Sequence, residues 1–210
     1  MLRLPDGTRL TVRENSQLAL TALQTQTGTS APPSKLKLIA GKFWSAFTAA
    51  VGHNLEIETP TSVAGVRGTE FQMSAGKSDS SLAVYDGKVG IAAGGKDADV
   101  PAGFAIVAAK TLGPLRPLPP APQNLMPFQG KITGGIAHLK WDPVAKAVGY
   151  RFELARDVRF TNVFFEQNFV GQQIRVEAPP GIYYWRVFAR DDADIEGAPS
   201  KLYAIEFLAD

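Results

Sequence analysis

The stretch that decides the fold is TPTSVAGVRGTEFQM, residues 59–73. Its flanks are strand-forming, yet it carries Gly65, Gly68 and the charged Arg67 in its middle. A ligand loop and a structural device would both use such residues. The spacing is not a phosphate fingerprint, because neither Gly-x-Gly-x-x-Gly nor a following Lys-Ser/Thr is present. The structural reading is that the glycines permit a bulge or a close approach of strands. Arg67 then satisfies nearby carbonyls or pairs with Glu70 or another carboxylate, since a guanidinium offers five donors. Phe71 and Met73 fill the core. A strand interior with buried apolar flanks is a poor place for a loop-type anion site, so the structural reading is preferred.

The same grammar extends outward through the first half. LRLPDGTRLTV alternates Leu2 and Leu4, turns at Asp6-Gly7, and resumes with Leu10 and Val12. Asp-Gly supplies the positive φ angles of a tight hairpin. LAVYDGKVGIAA repeats the design around Asp86-Gly87, and LKLIAGKFWSAF and VPAGFAIVAA are looser versions at Gly41 and Gly103. The expectation is one unit used four times, apolar strand, glycine turn, apolar strand, stacked because none can bury a face alone. TALQTQTGTSAPPSK reads as a long loop and GKSDSS as an exposed turn.

Bulk composition bounds the function classes. Of 210 residues, 45% are hydrophobic and 20% charged, which is globular. The absence of cysteine excludes disulfides, thiolate metal sites and a cysteine nucleophile. The net charge is +2 with no basic stripe, so nucleic acid is not an expected partner. No apolar run approaches the ~20 residues of a membrane span, and no signal peptide is recognised. The opening MLRLPDGTRL starts as if already inside a strand, which predicts a fragment of a longer chain.

TLGPLRPLPPAP, with prolines at 114, 117, 119, 120 and 122, predicts a semi-rigid linker. The expected division is a first β domain over 1–112, a linker over 113–122 and a second β domain over 123–210. In the second half Trp141 precedes a turn, Tyr150, Phe152 and Leu154 alternate with Arg151 and Glu153, and Tyr183, Trp185, Val187 and Ala189 share a face. A closing strand alternates Tyr203, Ile205 and Phe207. A buried Trp, a Tyr after a Pro-Gly corner and a final alternating strand predict a seven-stranded immunoglobulin-like sandwich. The fold class is therefore all-β: a glycine-turned β-sandwich or short β-solenoid, followed by that sandwich.

The segments LPDGTRLTV, LIAGKF, IETPTSVAGVRGTEFQM, LAVYDGKVGI and VPAGFAIV together resemble the FecR-type domain. The motif positions are Thr59, Pro60, Val66, Arg67, Gly68, Thr69 and Phe71. The second half, through LKWDPV, YRFELA and GIYYWRV, is similar to fibronectin type III domains. The resemblance implies a bacterial envelope module, periplasmic or on the cell surface. Proteins with this pairing often carry an upstream peptidoglycan-binding LysM module, which would fit the abrupt start. The best-known FecR-type proteins are transmembrane anti-sigma regulators; their membrane helix is not recognisable here, so that role is not carried over.

Four further constellations bear on function. Phe43 and Trp44 fall on opposite faces of a strand, so one is a candidate for stacking on a sugar or partner. Asp191, Asp192, Asp194 and Glu196 form an oxygen-rich turn, a weak calcium candidate without the twelve-residue loop pattern. His53 and His138 lack the context of a nucleophile or a metal site. Paired carboxylates for glycan hydrolysis have no recognisable motif. The expectation is a non-enzymatic, cofactor-free scaffold or sensory module that recognises an envelope protein or glycan. Carbohydrate binding through exposed aromatics is the alternative, and an envelope glycan hydrolase the least favoured.

Overall fold

The computed structural model describes residues 2–4, 8–24, 32–46, 54–127 and 129–209, which form strands and turns and no helix. The chain is all-β. It divides into two compact units, Met1–Pro117 and Leu118–Asp210, with the boundary inside the proline-rich stretch.

The first unit contains β1 (Leu2–Arg3), β2 (Arg9–Val12), β3 (Gln17–Ala22), β4 (Ser34–Ala46), β5 (Leu55–Glu58) and β6 (Val63–Val66). It continues with β7 (Glu70–Ala75), β8 (Ser80–Asp86), β9 (Lys88–Ala93), β10 (Lys96–Pro101), β11 (Phe104–Ala108) and β12 (Arg116–Pro117). They make one sheet in the order β10-β9-β6-β5-β4-β7-β8-β11-β12, with β3 and β2 also pairing β4, and β1 pairing β2. Strand β4 belongs to both limbs. Its first part pairs β3 and β5, and from Gly41 onward it pairs β2 and β7. The sheet folds over at that point. Leu38, Ile57, Val66 and Ile91 from one limb meet Phe43, Phe71, Met73 and Leu82 from the other in a single core. This is the sandwich option of the sequence reading.

The glycine turns do something other than expected. Gly41, Gly87 and Gly103 have φ of +91°, +78° and +82°, but none is the tip of a hairpin. Gly41 lies inside β4. Gly87 separates β8, which pairs β7 and β11, from β9, which pairs β6 and β10. Gly103 separates β10 from β11 in the same way. Each is a corner at which the chain leaves one limb for the other. The same holds for Gly68, at φ +55°, between β6 and β7. The misreading has a simple cause: a hairpin and a sheet-changing corner both need a positive φ between apolar strands. Among the described residues of this unit, the hairpins proper are at Thr59–Ser62, between β5 and β6, at Gly76–Asp79, between β7 and β8, and at Gly94-Gly95, between β9 and β10. Strands β1 and β2 pair antiparallel, while Asp6-Gly7 between them lies outside the described residues. So do residues 25–31 of the expected loop.

The opening stretch is thus a bridge between the limbs at both of its ends. At one end, the Thr59–Ser62 turn is closed by Thr59 N donating to Ser62 O at 2.8 Å. Thr61 Oγ1 donates to Ala108 O at 2.9 Å and meets Ser80 Oγ at 2.8 Å, and Ser62 Oγ meets Ser80 Oγ at 2.7 Å. These hydroxyls tie the β5–β6 turn to β8 and β11 of the other limb, and buried hydroxyls are tolerated only when bonded in this way. At the other end, Val66 and Phe71 enter the core on either side of the Gly68 corner. Thr69 is buried there, and its methyl group lies where a Cβ on Gly87 would come within 2.7 Å.

The second unit contains β13 (Gln129–Ile132), β14 (Ile136–Lys140), β15 (Gly149–Ala155), β16 (Val163–Phe169), β17 (Gln173–Glu177), β18 (Gly181–Arg190) and β19 (Tyr203–Phe207). A five-stranded sheet, β13-β19-β18-β15-β16, faces the β14-β17 pair. The core between them holds Trp141, Tyr150, Phe152, Tyr183, Trp185 and Phe207, on the faces that the alternation assigned. Two details differ from expectation. Tyr150 Oη accepts from Val144 N at 2.8 Å, whereas the hydroxyl of Tyr183, the Tyr after the Pro-Gly corner, has no hydrogen-bond partner among the described residues. Arg151 and Glu153, on the outer face of β15, are buried at 2% and 1% exposure.

The prolines of the expected linker are shared between the units. Arg116–Pro117 pairs β11 as an edge strand, where a missing N–H is tolerated. Pro119 packs so closely on Gly197 that a Cβ there would lie 2.0 Å from its carbonyl oxygen.

Candidate functional site, a glycine-floored groove

The aromatic candidates do not form an open platform. Phe43 is fully buried, edge-on to Phe71 at 5.9 Å and 80°. Trp44 lies half-buried on the opposite face of β4, and Tyr85 stacks on it at 4.3 Å and 11°. One face of the indole is therefore already taken. Phe47 and His53 lie outside the described residues, and His138 is exposed on β14 beside Arg175 of β17.

The four acidic residues of the late turn do not converge. Glu196 accepts from Arg151 Nε at 3.1 Å and Nη2 at 2.8 Å. Asp194 accepts from Arg190 Nη1 at 2.6 Å. Asp191 accepts from the amides of Ala193 and Ile195 of its own loop. Asp192 is exposed. The turn covers the outer face of the β15–β18 sheet, and among the described residues no three carboxylates come together there. Beneath it Arg151 also donates to Glu153, and Arg186 Nε donates to Glu153 at 2.6 Å. Arg151 lies 3.8 Å over the Phe188 ring, and Arg186 lies 3.9 Å over Phe160. Burial disfavours the Arg151 charge, but Glu196 and Glu153 outweigh it and hold its pKa above the ordinary guanidinium value. Alternation could not reveal this cluster, because a charged residue on the outer side of a strand reads as solvated.

The motif residues divide. Thr59, Val66, Thr69 and Phe71 are buried, whereas Pro60, Arg67 and Gly68 are exposed. Arg67 does not make the expected pair with Glu70, and no described residue accepts a hydrogen bond or ion pair from it. It borders a groove of about 760 Å³ on the outer face of β5, β6, β9 and β10, lined also by Pro32, Pro33, Asn54, Glu56, Lys88 and Asp99. The floor is a cross-strand glycine pair, Gly65 opposite Gly90. Glu56 opposes Gly65 on one side, and Asp99 opposes Gly90 on the other. The row from Glu56 to Asp99 spans three strand spacings, roughly 14 Å.

Neither floor glycine is demanded by the fold. Gly65 and Gly90 have no left-handed φ. A Cβ on Gly65 would meet nothing within 4 Å, and one on Gly90 would meet only Asp99 Oδ1 at 3.7 Å, an ordinary contact. Glycine inside a strand costs about 0.5–1 kcal/mol relative to alanine, and a β-branched residue would gain more. The sequence thus keeps a bare floor at the expense of stability. On its walls Glu56 and Asp99 each hold an exposed ion pair at 2.7 Å, Glu56 with Lys35 outside the groove and Asp99 with Lys88. Such pairs are worth at most about 1 kcal/mol, so a ligand can exchange them.

Among solved structures, the chain is similar to a candidate anti-sigma factor from Parabacteroides distasonis, at 16% identity over 55% of this chain, with a TM-score of 0.45. The chain spans about half that protein's length, 52%. A fibronectin III-like protein from Clostridium thermocellum matches at 17% identity over 43% of this chain and 95% of its own, with a TM-score of 0.34. The extracellular domain of a candidate hybrid two-component system from B. thetaiotaomicron matches at 9% identity over 80% and 29% of the two chains, with a TM-score of 0.32. No curated protein matches. Residues 1–90, which include every groove-lining residue except Asp99, match the family described as FecR protein.

Proposed function

We propose that the chain is a non-catalytic recognition module of the bacterial cell envelope, sensory or scaffolding in role, and that its first unit holds the partner in the Gly65–Gly90 groove. The observation that carries this is the floor. Two directly opposed glycines occupy strand positions where neither backbone conformation nor packing calls for glycine. What they provide is access to the sheet surface between polar walls, a use of glycine that allows a ligand to approach the backbone closely. The match of residues 1–90 to the FecR family supports an envelope setting.

The reading predicts opposite effects on stability and binding. Gly65→Thr/Gly90→Thr fills the floor with a β-branched cross-strand pair and should stabilise the first unit by about 1–2 kcal/mol. The unaltered chain should co-sediment with insoluble envelope material, and the same variant should not. Thermal unfolding and sedimentation of both proteins check it. Equal sedimentation of the two would remove the groove from the account. A destabilised variant would show that the glycines serve the fold.

A further inference from the structure

Arg67 distinguishes what the groove can take. Four charged side chains line it: Glu56, Asp99, Lys88 and Arg67. Lys88 is neutralised by Asp99 and Glu56 by Lys35. Arg67 alone among them pairs with no described residue. Continuing the β6–β9 register by one pair beyond Val66 and Val89 places it beside Lys88, at the end of the glycine floor. The walls carry two carboxylates and two cations and give no net attraction for a polyion. A peptide bearing many carboxylates would meet Glu56 and Asp99 as like charges. Among the described residues, no aromatic or large apolar side chain other than Leu55 and Val66, both buried, lines the groove to receive apolar peptide side chains. Fixed acceptors and donors on both walls instead suit hydroxyl groups, which both donate and accept. A flat floor without side chains suits a ring.

Resting on the groove reading above, we infer that the ligand is a carboxylated glycan. The sugar ring lies on Gly65 and Gly90, hydroxyls face Glu56, Asp99 and Asn54, and the carboxylate binds the Arg67 guanidinium, whose fork matches it in two parallel hydrogen bonds. Arg67 is then the specificity-determining residue for acidic over neutral sugar.

The test is calorimetric titration of the full chain with a trisaccharide that carries a single galacturonic acid among neutral sugars, with the same trimer as its neutral methyl ester, and with hexaglutamate. The acid should bind at least about tenfold more tightly than the ester, the ratio expected for one charge-assisted contact. Arg67→Gln should bring acid and ester to the same affinity. Hexaglutamate should not compete. Equal binding of acid and ester, an acid preference that survives Arg67→Gln, or tighter binding of hexaglutamate each overturns the inference. Should the acid trimer not bind while envelope material still requires an open floor, the ligand class is wrong and the groove reading stands. Should it bind the unaltered chain and Gly65→Thr/Gly90→Thr alike, both fall.

Discussion

Arg151→Met should lower the stability of the second unit by about 3–5 kcal/mol, the usual cost of breaking a buried ion pair by removing one partner. For a unit of this size that is a fall in Tm on the order of 15 °C or more. The substitution removes the donors that Glu196 and Glu153 share, and both carboxylates are almost wholly buried, at 3% and 1% exposure. It also removes the guanidinium from the Phe188 ring. The loss should depend on pH in a definite direction. A carboxylate left buried without its cation has a folded pKa above its unfolded value of about 4.3. The folded variant then binds more protons than the unfolded chain, so its deficit is largest near neutral pH and shrinks toward pH 5. Arg151→Met/Glu196→Leu should recover part of the loss, because apolar replacement of both partners is far less costly than orphaning one. Urea unfolding followed by the fluorescence of Trp141 and Trp185, both in this unit's core, measures all three quantities. A loss under 1 kcal/mol would mean that the late acidic turn is not a buried lid.

The second large effect falls on the fold-over of the first unit. Gly41→Ala should cost about 3 kcal/mol or more. A left-handed backbone carries about 1–2 kcal/mol of strain for a residue with a side chain, and Gly41 sits at φ +91°. Its Cβ would also lie 2.3 Å from Ser16 Oγ and 2.5 Å from Ser16 Cα, an overpacking worth a further 1–3 kcal/mol, roughly. Ser16 cannot easily move aside, because its Oγ accepts from Lys42 N and donates to Lys42 O, both at 3.0 Å. Gly103→Ala separates the two terms. It has φ +82° but open space around the Cβ, so only the backbone cost should appear. Chemical unfolding should therefore rank the three proteins, the unaltered chain, Gly103→Ala and Gly41→Ala, in falling order. Equal losses at the two glycines would make the steric account of the fold-over wrong.

These glycines also show how far the sequence can be read. The apolar strands either side of Gly41, Gly87 and Gly103 were legible, because period-2 alternation marks a half-buried strand whatever it pairs with. Their pairing was not, because a positive φ reverses a chain within one sheet or carries it to another, and the local sequence is the same for both. The inward residues of the second unit, Tyr150, Phe152, Tyr183 and Trp185, followed from alternation alone. Its buried charges did not, since what covers Arg151 is a turn far along the chain ending in Glu196. The groove was half legible. Arg67 and Gly65 stood out in the opening stretch, but Gly90 and Asp99 join them only through the β6–β9 and β9–β10 registers. Gly65 and Gly68, three residues apart, proved to be different devices: one turns a corner, and the other leaves a surface bare.

On the proposed reading, the partner sits on the bare surface of Gly65 and Gly90. The most direct measurement is a two-dimensional amide spectrum of the isotope-labelled full chain, recorded during titration with solubilised envelope extract. The largest shifts should fall on Glu56, Gly65, Arg67, Gly90 and Asp99. Shifts confined to the Trp44–Tyr85 face or to the second unit, with the Gly65 and Gly90 amides unmoved, would contradict it.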